Sequence, residues 1–173
     1  TMGSIIHWVL QKLYEPYVQI TLDLNIMQKI TESVSDTIRF ALKHYSIINI
    51  DRGKNILSIE AINRIVTNFI QHETQLVRDG NKIIIQHLEH ETAFFYKKIP
   101  LQNTNLNAKI NLKGYVDRID IYNNTYRIID YKTGIIKDTD LKVVDIVDII
   151  SKPKILQLLI YAWLFNHENT MNK

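Results

Sequence analysis

The 173-residue chain contains no cysteine. That absence rules out disulfides, thiolate zinc sites and a cysteine-ligated iron–sulfur cluster within the segment, so any metal must be held by oxygen or imidazole. Long apolar runs are missing too: the most apolar stretch, ILQLLIYAWLF from Ile155 to Phe165, falls well short of the roughly 20 residues that span a bilayer. At the N-terminus no basic region precedes an apolar signal core, which makes the cytoplasm the default location. Internal repeats, low-complexity tracts and a linker long enough to split the chain are also absent, and a single domain over residues 1–173 is expected.

What is present suits a globular fold. Hydrophobic residues make up 46% of the chain, enough to bury a real core at this length. A formal charge of +3 and a pI near 9.0 permit a polyanionic partner without requiring one. The sequence opens Thr1-Met2 and is in helical pattern by Ile5, so a piece of a longer protein is expected.

Up to about Arg78 the pattern is mainly helical, with Ile6, Val9, Leu10 and Leu13 spaced along one helical face. Ser58 is the expected N-cap for a helix carrying Ile62, Ile65, Val66 and Phe69, and Thr31 to Tyr45 is a further helical candidate. Gly80 is the natural residue to end the helical part. The period then changes. KIIIQHLEHETAFFYKKIPL suits one or two strands, and INLKGYVDRIDIY and TYRIIDYKTG follow as two more around Asn123-Asn124, a pair that tolerates the positive φ values of a tight hairpin. SKPKILQLLIYAWLF restarts a helix, with Pro153 in its first turn and Ser151 as a candidate cap. The acids of the intervening stretch, Asp138, Asp140, Asp145 and Asp148, read as solvated positions of a loop and short element.

A hairpin centred on Asn123-Asn124 sets Ile119 opposite Ile128, Asp120 opposite Arg127 and Asp117 opposite Asp130. Facing carboxylates about 4.5–5.5 Å apart at Cβ repel unless something positive lies between them. A divalent cation with oxygen ligands, Mg²⁺ or Mn²⁺ rather than zinc, answers that need. Lys132, two residues beyond Asp130 and on the same strand face, would stand beside the metal and orient water or neutralise charge on phosphorus. The competing account is a solvated surface hairpin in which Lys132 merely pairs with Asp130; the apolar neighbours Ile119 and Ile128 favour the metal. On the opposite face, Asp120 and Arg127 form an ordinary cross-strand ion pair of small energetic value.

GYVDRID, RIIDYKTG and QLLIY, preceded by GSIIH with Gly3 and His7, resemble the ordered motifs of the PD-(D/E)XK nuclease superfamily, specifically the RecB/AddB-type nuclease domain at the C-terminus of bacterial helicase–nucleases. The resemblance runs from Gly3 to Tyr161. It implies an α/β restriction-endonuclease-like core, with a central mixed sheet, a catalytic antiparallel hairpin, flanking helices and a helical N-terminal part. It further implies that Asp117 and Asp130, with the main-chain carbonyl of Tyr131 and with His7, hold Mg²⁺ or Mn²⁺. Lys132 would be the water-activating lysine, and Gln157 and Tyr161 would line the site. Glu89 resembles a family acid that precedes the hairpin, and Glu91 competes for that place.

Family members often add a cysteine-held iron–sulfur cluster; with no cysteine, none is expected here. There is also no Gly-x-x-x-x-Gly-Lys-Ser/Thr loop, so helicase activity would belong to another part of the parent protein or to a partner. The implied activity is exonuclease-type hydrolysis of DNA in end processing, recombination or repair. The rivals are a catalytically inactive DNA-binding or scaffolding domain of the same fold, and a structure-specific or restriction-type endonuclease.

Overall fold

A computed structural model describes residues 1–46, 54–89, 94–100 and 109–171. The fold is α/β, with a helical N-terminal part and antiparallel sheets. It divides into two compact units, residues 1–88 with 119–127 and residues 89–118 with 128–173. No described helix is long and apolar enough to cross a membrane.

In the first unit, helices α1 (Met2–Tyr14), α2 (Leu24–His44) and α3 (Lys54–Arg78) pack against one another. Their buried side chains recur at helical spacing: Ile6, Val9, Leu10 and Leu13 on α1; Met27, Ile30, Val34, Ile38 and Ala41 on α2; Ile62, Val66 and Ile70 on α3. Thr1 caps α1, accepting from the Ser4 amide, and Asp23 caps α2, accepting from the Ile26 amide at 2.7 Å. The Asp23 cap explains why α2 starts seven residues before the expected Thr31.

Ser58 is not an N-cap. Helix α3 is already running at Lys54, because residues 54–57 contain no breaker and a serine inside a helix does not by itself stop it. At the other end of α3, Gly80 has φ +86°. Its amide donates to Val77 O, and that of Asn81 to Leu76 O, the paired bonds of a Schellman ending.

Strands β1 (Ile83–Leu88), β4 (Arg118–Tyr122) and β5 (Thr125–Ile129) form a sheet in the order β1-β4-β5. Asn123 and Asn124, at φ +48° and +69°, make the expected two-residue turn. The isoleucine run forms the expected strand: Ile83 and Ile85 are fully buried, and their carbonyls accept from the amides of Leu22 and Gln19.

The Asp120–Arg127 pair confirms the hairpin register but is no ordinary surface pair. Asp120 is 0% exposed and receives a two-pronged guanidinium at 2.9 and 2.8 Å. The same guanidinium lies 3.6 Å from the buried Glu73 of α3, which accepts from the Tyr14 hydroxyl, and 4.6 Å from the centre of the Tyr122 ring. Burial on both sides of the hairpin was not visible in a local pattern, because Glu73 lies far away in sequence.

Among the described residues, the second unit contains a two-stranded antiparallel ribbon, β2 (Phe94–Pro100) with β3 (Lys109–Tyr115), and three helices: α4 (Asp138–Leu141), α5 (Ile146–Ser151) and α6 (Pro153–Met171). Helix α6 packs on the ribbon. Among the described residues, the strands expected in one central mixed sheet fall into two antiparallel sheets, of three and two strands.

The acids between β5 and α6 have structural work that the sequence did not reveal. Asp145 and Asp148 cap α5, and amides of Val144 and Asp145 hold the Asp148 carboxyl below its ordinary range. Lys154 does the same for Asp140. Ser151 closes α5, its hydroxyl donating to Asp148 O at 2.7 Å, instead of capping α6.

Removing the Arg127 guanidinium takes a shared cation from two buried carboxylates. Arg127→Ala is expected to destabilise the chain by about 3 kcal/mol, measured by urea denaturation, and Arg127→Lys to recover only part of the loss because it lacks the planar fork.

Candidate active site

Strand β1 ends at Leu88, and Glu89 follows with φ +51°. Its amide donates to the Asp117 carbonyl at 2.8 Å. At the facing end of the antiparallel ladder, Asn123 donates to Lys82 O at 3.0 Å. Glu89 and Asp117 are therefore neighbours where the ladder stops, and each offers a carboxylate oxygen within 4.8 Å of the other. Two ionised carboxylates that close repel by at least about 3 kcal/mol at an effective dielectric constant of about 20. A hard divalent cation would turn that repulsion into shared attraction, and an all-oxygen donor pair suits one.

Asp117 and Asp130 each lie one residue outside their strands. Asp117 Oδ2 accepts from the Tyr131 amide, which places its carboxylate beside the peptide joining Asp130 to Tyr131.

Asp130 belongs to a second group. The Lys132 ammonium forms an ion pair with Asp130 Oδ2 and donates to Gln157 Oε1 at 3.1 Å. Gln157 Nε2 reaches Asp130 Oδ1 at 3.3 Å and the Tyr161 hydroxyl at 2.6 Å. Gln157 and Tyr161 are one helical turn apart on α6 and present their polar groups together. Side-chain exposure is 9% for Asp130 and 32% for Lys132, so the lysine reaches solvent while the acid holding it is nearly buried.

The pairing of Lys132 with Asp130 is the one contact that the surface-hairpin account anticipates. That account does not anticipate Gln157, which fixes both ends of the pair.

Gly114 explains how α6 comes close enough. A methyl group there would lie 3.0 Å from Tyr161 Cδ1 and 3.0 Å from Leu164 Cδ1. The glycine of GYVDRID thus admits the Tyr161 ring against β3, a role not readable from its place in the motif.

His7 stands half-buried on α1 in the first unit. Glu91, the competitor of Glu89, lies outside the described residues. A family model of the PD-(D/E)XK nuclease superfamily matches residues 1–173, the whole chain. No curated protein and no solved structure matches it.

Gly114→Ala forces Tyr161 and Leu164 to move and is expected to cost about 1–3 kcal/mol. Tyr161→Phe keeps the ring and removes only the hydroxyl contact with Gln157, so it is expected to cost no more than about 1.5 kcal/mol. Thermal unfolding of the two variants side by side checks both.

Proposed function

Because the chain belongs to the PD-(D/E)XK nuclease superfamily, we propose that it is a metal-dependent deoxyribonuclease domain of the RecB/AddB type. It hydrolyses phosphodiester bonds from DNA ends, in end processing, recombination or repair. The observation that carries this reading is the Asp130–Lys132–Gln157 triangle beside Asp117. The parent protein is proposed to supply helicase activity in another part of the polypeptide or in a partner subunit.

The donor set fits a hard divalent cation. Asp117 and Asp130, with the Tyr131 carbonyl, are the oxygen ligands proposed for Mg²⁺ or Mn²⁺; Glu89 adds a carboxylate beside Asp117, and His7 is the proposed nitrogen ligand. When bound, such an ion neutralises charge on nonbridging phosphate oxygens and on the leaving oxygen.

The chain's own groups do the rest. Lys132 Nζ has three donors, of which Asp130 and Gln157 engage two. The third is free to orient a water molecule for attack on phosphorus and to offset the negative charge developing there. Gln157 keeps the ammonium from swinging into solvent, and the Tyr161 hydroxyl fixes the amide of Gln157. Positioning of this kind lowers the barrier by removing orientational freedom before the reaction starts.

The test is cleavage of end-labelled linear DNA by the wild type and by Lys132→Ala, with Mg²⁺, Mn²⁺ or EDTA. Metal-dependent cleavage that falls at least about a hundredfold in the variant is expected. Undiminished cleavage by Lys132→Ala would falsify the assigned role. DNA binding without cleavage under either metal would favour the inactive scaffold.

A further inference from the structure

The β2–β3 ribbon has two unlike faces. Its register pairs Tyr96 with Lys113, Lys98 with Asn111, and Pro100 with Lys109. These residues, together with Tyr115, share one face, and all of them are exposed. On the other face Ile99 and Leu112 border an apolar groove with Leu159, Ile160 and Trp163 of α6. The outward face therefore combines three lysines and two tyrosines, and neither strand contains an acid.

Among the described residues, none of Lys98, Lys109 and Lys113 forms an ion pair with an acid. Tyr96 and Tyr115 are 39% and 52% exposed, and the Tyr96 hydroxyl is held by Asn111 at 3.0 Å. Partly exposed aromatic rings beside lysines that pair with no described acid suit a partner that is anionic and has flat apolar surfaces. An unpaired nucleic-acid strand has both, phosphates for the lysines and base faces for the rings. A duplex offers the phosphates but keeps its base faces stacked.

We propose that the outward face of the β2–β3 ribbon binds a single DNA strand and leads it toward Asp117, which follows Tyr115 by two residues. That the nucleic acid is DNA rests on the nuclease reading; the anionic strand itself is argued from the ribbon. Lys98, Lys109 and Lys113 contact phosphates, and Tyr96 and Tyr115 stack on bases.

The test is fluorescence anisotropy of a labelled oligothymidylate with the full chain in EDTA, over a salt series. The variants are the triple Lys98→Ala/Lys109→Ala/Lys113→Ala and the single Tyr115→Ala, with thermal unfolding to confirm that each folds. Loss of three phosphate contacts at about 0.7 each should lower the slope of log K against log salt by about 2. Tyr115→Ala should weaken oligothymidylate binding about tenfold, with the slope unchanged and duplex binding unaffected.

No binding by the wild type, equal binding by the wild type and both variants, or a Tyr115→Ala loss confined to duplex overturns the proposal. Ribbon-dependent binding by a wild type that cleaves no DNA would support the ribbon while removing the nuclease reading. Cleavage by a wild type whose ribbon variants bind unchanged would do the reverse.

Discussion

The register of the β4–β5 hairpin is the constraint on which the site depends. Side chains alternate along a strand, so a slip of one residue would turn Asp117 and Asp130 to opposite faces. Two local features exclude that slip. Asn123 and Asn124 accept the left-handed backbone of a two-residue turn, and the Arg127 fork closes on Asp120 at 2.8–2.9 Å. Glu73 and Tyr14 extend the lock into the helices of the first unit. Asp120 and Arg127 each stand three residues from one of the aspartates, so what fixes this pair fixes where those carboxylates emerge.

A second chain of dependence runs through the ribbon and α6. Gly114 has no side chain, so the Tyr161 ring can lie against β3. The Tyr161 hydroxyl then holds Gln157, and Gln157 holds both Lys132 and Asp130. An ammonium on a flexible four-carbon stem would otherwise sample many positions. Tied at Asp130 and Gln157, it keeps one.

Much of this was legible in the sequence because it is local. The Asn123-Asn124 turn, the Gly80 helix ending and the opposition of Asp120 to Arg127 follow from residues close together in the chain, whose backbone preferences decide the outcome. The earlier start of α2 is also local: Asp23 caps it, and Met27 and Ile30 continue the apolar spacing of Val34 and Ile38. What could not be read depends on distant partners. Nothing near Arg127 announces Glu73, and nothing near Gly114 announces Tyr161. The division of the strands between two sheets is likewise a matter of which distant segments pair. Ser58 and Ser151 misled for the opposite reason: each has a capping side chain, but the helix boundaries around them were set elsewhere.

The account stands on the acids at the open end of the hairpin meeting a metal ion, and calorimetric titration with Mn²⁺ tests it most directly. The wild type should bind Mn²⁺, and Asp117→Asn and Asp130→Asn should each weaken that binding by at least about tenfold while leaving thermal unfolding of the metal-free protein nearly unchanged. Mn²⁺ binding of equal strength in all three proteins, or none in the wild type, would contradict it.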